Sequence, residues 1–312
     1  MSHHHHHHHG PDLTDPNQGP APRRRLIVAL GITASIFLAE VIGAWWSGSL
    51  ALLADAGHML VDSSGLVIAL VAANLMRRPR TDTHTWGYAR AEVLAAAMQA
   101  GMLLFITAIV VVEAVKRFIS PTEVAGETML WFGVIGLVGN AISLMVLASS
   151  RRANLNMRAA FLEVANDALG SLAVIVAAAL TWMSGWQQWD VIASLLIAAM
   201  MGPRALVLLR DAGAILMETV PAGLDLEQVR SHILSQPYVE DVHDLHVSTI
   251  ATSVVQMTAH VTVSQQCFDD GKVAHVLHQI QDCVAEHFPI SIEHSTIQID
   301  TARHRDHEHL RH

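Results

Sequence analysis

Charge is scarce in this chain. Only 15% of its 312 residues are charged while 52% are hydrophobic, where a soluble domain carries about 25% charged residues. Mean hydropathy is +0.36, too apolar for a chain that sits in water alone. Positive charge is the scarcer sign, with 19 Lys and Arg against 28 Asp and Glu and a net charge of −9. No basic face is available to neutralise phosphates, which excludes nucleic acid as a partner. Cysteine is almost missing. Cys267 and Cys283 lie too far apart for a CxxC or zinc-ribbon pattern and are too few for a disulfide scaffold.

What is abundant is histidine, 21 residues, and long apolar runs. The run His3 to His9 after Met1-Ser2 reads equally as a purification tag or a native metal-gathering tail. The remaining histidines, apart from His58 and His84, all follow residue 230. No secretory signal is expected, because the first apolar stretch begins only after Arg23-Arg24-Arg25 and is long enough to span a bilayer.

Six stretches, at 26–46, 50–76, 89–119, 128–149, 158–183 and 189–210, approach the roughly 20 residues a spanning helix needs. Arginine sets the orientation. One side holds Arg23, Arg24, Arg25, Arg77, Arg78, Arg80, Arg90, Arg151, Arg152, Arg158 and Arg210, and the other only Lys116 and Arg117. Six helices with that bias place both termini in the cytoplasm and the connectors 47–49 and 184–189 on the far side.

Ionisable groups inside such helices are costly and mark function. The second stretch reads SLALLADAGHMLVDSSG, where Asp55, His58 and Asp62 share one helix face. The fifth reads RAAFLEVANDALGSLAV, where Glu163 and Asp167 share a face with Asn166 beside them. Glu40, Glu92 and Glu113 are single acids, read as polar residues pairing with a neighbouring helix or the backbone. The second and fifth helices run antiparallel, so Asp62 and Asp167 should lie at similar depth. Imidazole and carboxylates in tetrahedral arrangement suit zinc and its first-row relatives. Three carboxylates beside a neutral histidine cannot all stay ionised in a low dielectric. Metal binding therefore releases protons, and competition of metal and proton for the same groups is the minimal requirement for antiport.

After Arg210 the composition becomes ordinary. Residues 225–235 read as a helix, 239–249 and 254–263 as a β-hairpin, 270–287 as a helix and 295–301 as a last strand. His243 and His246 are three apart and fall on opposite faces of a strand. Pairing across the hairpin could bring His260 near one of them.

The stretches SGSLALLADAGHMLVDSSGLVIAL, THTWGYARAEVLAAA and NLNMRAAFLEVANDALGSLAVIVAA resemble the cation diffusion facilitator family, closest to its bacterial cobalt–zinc–cadmium resistance branch. The likeness covers nearly all of residues 26–301. It implies an α-helical membrane protein with six transmembrane helices and a small α+β (αββαβ) cytoplasmic domain. Transport would reside in 26–210 and the cytoplasmic domain in 211–301, between His-rich tails 1–25 and 302–312. The resemblance also implies a homodimer in the inner membrane. Its activity would be export of zinc-like divalent ions, cadmium and cobalt among them, in exchange for protons, without enzyme chemistry or a separate cofactor. The family's HxxxD motif on the second and fifth helices falls on His58, Asp62, Glu163 and Asp167. Glu163 departs from it where zinc-selective members carry histidine. A loop site of some members falls on His84 with Asp82 nearby, and Tyr88 stands at another of its positions. A cytoplasmic site of some members falls on His243, His260, His275 and Asp300, with Gln298 in place of a histidine. Surface or structural histidines account for these four equally well.

Two other classes explain less. An intramembrane zinc enzyme needs HExxH, and the closest string, HEHLRH at 307–312, has the wrong spacing. A membrane-anchored metal sensor has no use for intramembrane carboxylate pairs.

Overall fold

The structure, a computed structural model, describes residues 20–148, 155–251 and 254–305. The His3–His9 run and the HEHLRH tail lie outside them. Six long helices come first: α1 Pro20–Ser47, α2 Leu50–Met76, α3 Ala91–Ile119, α4 Gly126–Ala148, α5 Leu155–Ser184 and α6 Gln188–Leu216. Among the described residues, α2 to α6 each hold a window long and apolar enough to cross a membrane, and the described apolar part of α1, Gly31–Ser47, is shorter. A helix satisfies all its own backbone groups, which hydrocarbon requires. The chain is a multi-pass membrane protein.

Contacts divide the described residues into two compact units, 20–68 with 98–209, and 69–97 with 210–305. In the first, small residues let helices approach closely, as membrane interfaces favour. A Cβ on Gly126 of α4 would stand 3.0 Å from the Trp182 nitrogen of α5, and one on Gly133 would stand 3.0 Å from Ile175. Asp190, at the start of α6, caps α2. Its Oδ2 accepts from the Leu50 amide at 2.8 Å and its Oδ1 from the Ala51 amide at 3.1 Å. The sequence boundary at 210 falls inside α6, which runs on to Leu216. Arg210 and Asp211 end the apolar run but not the helix, since both are tolerated in helical backbone.

In the second unit, α7 (Leu226–Leu234) starts on an Asp225 side chain that accepts from the Glu227 amide at 2.9 Å. Strands β1 (Val239–Ala251) and β2 (Val254–Val263) form an antiparallel pair, and β3 (His294–Asp300) joins β2 in parallel, giving the order β1-β2-β3. Between β2 and β3 the helix expected over 270–287 is α9 (Val273–Glu286), and a short helix, α8 (Gln265–Asp269), precedes it. They part at Gly271, whose φ of +67° suits glycine. A four-residue helix, α10 (Ala302–Arg305), ends the described chain. The αββαβ order holds, with α8 as an added turn. Val229, Ile233, Met257, Val261, Val276 and Ile280, all without exposed surface, pack the helices onto one sheet face.

Candidate metal site in the membrane helices

The period of 3.6 residues stacks His58 one turn from Asp62 on α2 and Glu163 one turn from Asp167 on α5. His58 Nε2 lies 3.4 Å from Asp62 Oδ2 and 3.7 Å from Asp167 Oδ1. Tetrahedral ligands held at 2.0–2.2 Å from zinc stand roughly 3.3–3.6 Å apart, so these separations fit the edges of such a shell. Ligand atoms of His58, Asp62 and Asp167 lie within 4.8 Å of one another. They form the single group of three such residues among those described that is tight enough to hold an ion. His58 is 8% exposed and Asp167 5%. Asp62 Oδ2, Asp167 Oδ1 and His58 Nδ1 are buried without a hydrogen-bond partner among the described residues. The two carboxylate oxygens, turned inward with no donor, create a place for a positive charge, while Nδ1 carries the ring hydrogen when Nε2 serves as ligand.

Glu163 is the looser member. It is half-buried and stands outside the tight group of three, with its carboxyl facing that of Asp62. Asn166, expected beside the acids, is exposed, because one residue from Asp167 on a helix is a turn of about 100° away. Sequence reading missed Arg204 of α6, whose charge acts on His58, Asp62, Glu163 and Asp167 alike. The signal was present: an arginine within the sixth apolar stretch, next to Pro203.

The single acids sort differently. Glu113 pairs on its own helix with Lys116 at 3.6 Å and Arg117 at 3.3 Å. Glu92 is exposed in the first turn of α3, where an acid favours the helix dipole. Glu40 is 1% exposed and meets no cationic partner among the described residues; its carboxyl faces that of Asp55 on the neighbouring helix α2.

In the second unit, His243 and His260 are opposed across the hairpin, with ring centroids 5.5 Å apart. Asp241 stands 3.4 Å from the His243 Nδ1. A bulge between His243 and His246, with Asp244 at φ +50°, sets His246 opposite Thr258 on the face where His243 meets His260, not on the opposite face as simple alternation suggests; His243 is buried there and His246 exposed. His275 is exposed on α9. Asp300 accepts from Gln298 Nε2 at 2.6 Å and has His304 at 3.8 Å. Of the four expected ligands, then, the structure brings together His243 and His260, and no three of the four reach the spacing of one shell. In the loop before α3, His84 stacks on Tyr88 at 4.7 Å and contacts the Thr83 hydroxyl, and Asp82 is exposed. Those two likewise belong to no group of three among the described residues.

Comparison with known proteins agrees with this architecture. Residues 26–217 match the cation efflux transmembrane domain, and residues 221–302 match the cation efflux protein cytoplasmic domain. The chain belongs to the cation diffusion facilitator family, in its zinc–cobalt–cadmium branch. It is 41% identical over 279 residues to the zinc transporter ZitB of Escherichia coli, covering 89% of this chain and 87% of that protein. It is 36% identical to the metal cation efflux system protein CzcD of Cupriavidus metallidurans, with the same coverage. It is 34% identical to a cadmium, cobalt and zinc/H(+)-K(+) antiporter of Bacillus subtilis, over 92% of each chain. The protein is a cation efflux transporter of the zinc type, not an enzyme.

Proposed function

We propose that the chain exports zinc and related divalent ions from the cytoplasm in exchange for protons, through His58, Asp62, Glu163 and Asp167. The observation that carries this reading is the placing of His58 Nε2 within 3.7 Å of carboxylate oxygens from two helices, inside an apolar span. Each ligand that takes up metal must be deprotonated, so one set of atoms serves both ions by turns. The names of two relatives, a zinc transporter and a zinc/H(+)-K(+) antiporter, support the substrate class and the exchange.

Arginine placement supports insertion in the inner membrane with both termini in the cytoplasm. We assign transport to 26–210 and a homodimer contact to the cytoplasmic domain, 211–301, whose match is to the cytoplasmic domain of this family. His243 with His260 offers two imidazoles for a cytoplasmic metal, which His275 and Asp300 would have to complete. Asp82 and His84 are a lesser candidate in the loop.

The test is proton release. Zinc is titrated into weakly buffered detergent solution of the full chain, with a pH indicator present, for the natural chain and the His58→Ala/Asp167→Ala variant. The tails contribute equally to both. A larger release from the natural chain supports shared ligands, and equal release contradicts them.

A further inference from the structure

A second group of buried acids lies one helical turn along α2 from His58, towards that helix's N-terminus. Glu40 of α1 and Asp55 of α2 are 1% and 2% exposed, and their carboxyl groups face each other within hydrogen-bonding reach. Both Glu40 oxygens and Asp55 Oδ2 are buried without a hydrogen-bond partner among the described residues. The Ser171 hydroxyl of α5 meets the Asp55 carboxylate. Asn140 of α4, without exposed surface, gives its Nδ2 hydrogen to Ser171 Oγ at 3.3 Å, which leaves its Oδ1 buried and unpartnered.

Two glycines make this convergence possible. A Cβ on Gly136 would sit 2.7 Å from Glu40 Oε1 and 3.0 Å from Ser171 Oγ, and one on Gly170 would sit 2.6 Å from Asp55 Oδ1. The missing side chains admit the acids into the space where α1, α2, α4 and α5 meet.

No side chain supplies the opposite charge. Among the described residues no Lys, Arg or His forms an ion pair with Glu40 or Asp55. The nearest charge of the His58 group, on Asp167, is of the same sign as this pair and bears on it. Buried polar atoms normally find donors. Here two carboxyl groups face each other with no cationic side chain, and the Asn140 amide oxygen is buried without a donor; a bound cation meets that need.

We infer that Glu40, Asp55, Asn140 Oδ1 and Ser171 Oγ form a second intramembrane cation site. Its donors are oxygen alone, where the His58 group carries an imidazole. Carboxylate, amide and hydroxyl oxygens select hard divalent ions such as manganese or calcium, and imidazole selects zinc and its neighbours. The two sites therefore differ in the ions they hold. This inference concerns binding and stands apart from the transport role proposed for the His58 group.

The probe is Mn2+, counted by the loss of its free-ion electron paramagnetic resonance signal, with the full chain in detergent. The His58→Ala/Asp62→Asn/Asp167→Asn variant is expected to keep roughly one tightly held Mn2+ per chain. Adding Glu40→Gln or Asp55→Asn weakens that binding about tenfold or more. Adding Gly136→Ala, which keeps every charge and crowds Glu40, weakens it as well. Size-exclusion profiles and zinc binding of the single Glu40→Gln chain verify folding. Two results overturn the inference. One is no Mn2+ held by the triple variant, as when the facing carboxyls share a proton alone. The other is Mn2+ binding indifferent to Glu40→Gln, Asp55→Asn and Gly136→Ala, which places the ion elsewhere, in the histidine tails for example.

Discussion

Asp190 holds the Ser49 hydroxyl at 2.6 Å, and with it the first turn of the helix that carries His58 and Asp62. The same carboxylate accepts from the Leu50 and Ala51 amides, and Arg117 of α3 stands 3.9 Å away while donating to the Gly48 carbonyl at 2.6 Å. Three helices are pinned at one end of α2. Asp190→Ala should cost roughly 1–2 kcal/mol for the lost cap, with Asp190→Asn, which keeps one acceptor, costing less. Unfolding of the purified chain in detergent measures the difference. Equal stability of all three chains would show that the cap contributes nothing.

Glycine packing gives a graded prediction. A Cβ on Gly126 meets backbone, 3.0 Å from the Trp182 nitrogen and 3.3 Å from its Cα, and backbone cannot turn aside. Gly126→Ala should therefore destabilise by about 1–3 kcal/mol. Gly101, also within a spanning helix, has nothing within 4 Å of that position. Gly101→Ala should be neutral or stabilise by up to about 1 kcal/mol through helix propensity. Thermal unfolding in detergent ranks the two, and a reversed order would contradict the close approach of α4 and α5.

Much of this was legible in the sequence, for a physical reason. Polar residues four apart in an apolar helix declare a shared face without any knowledge of neighbours, which is why His58 with Asp62, and Glu163 with Asp167, stood out. The antiparallel course of α2 and α5 then put Asp62 and Asp167 at one depth. What the sequence hid depends on packing between helices distant along the chain. Glu40 looked like Glu92 and Glu113 until α1 was set against α2, and its facing of Asp55 needs Gly136 and Gly170 on two further helices. Nothing local marks Asp190 as the residue that caps a helix 140 positions earlier. The bulge at Asp244, which returns His243 and His246 to one sheet face, was invisible as well. Hairpin registers are set by both strands together.

The cysteines test the core of the cytoplasmic domain. Cys267 has no exposed surface and Cys283 3%, and burial pushes both thiols above their ordinary range. The thiolate is the reactive form, so a thiol reagent at neutral pH should label neither in the native chain and both once it is unfolded in denaturant. Rapid labelling of the native chain would contradict the packing of α8 and α9 on the sheet.

Glu163 offers a test of selectivity. Replacing its carboxylate by imidazole in Glu163→His adds a ligand that prefers zinc and its neighbours over harder ions. The ratio of zinc to cadmium and cobalt flux should rise in that variant. An unchanged ranking would remove residue 163 from the determinants of choice, which would accord with its place outside the tight group of three.

Exchange of protons and metal at the His58, Asp62 and Asp167 ligands, as proposed above, is open to direct measurement. Sealed liposomes with an internal zinc dye test it most directly, holding the natural chain or Asp167→Ala, with and without an inside-acid gradient. Zinc uptake should follow the gradient in the natural chain and be lost in Asp167→Ala. Uptake indifferent to the gradient, or preserved in Asp167→Ala, would contradict it.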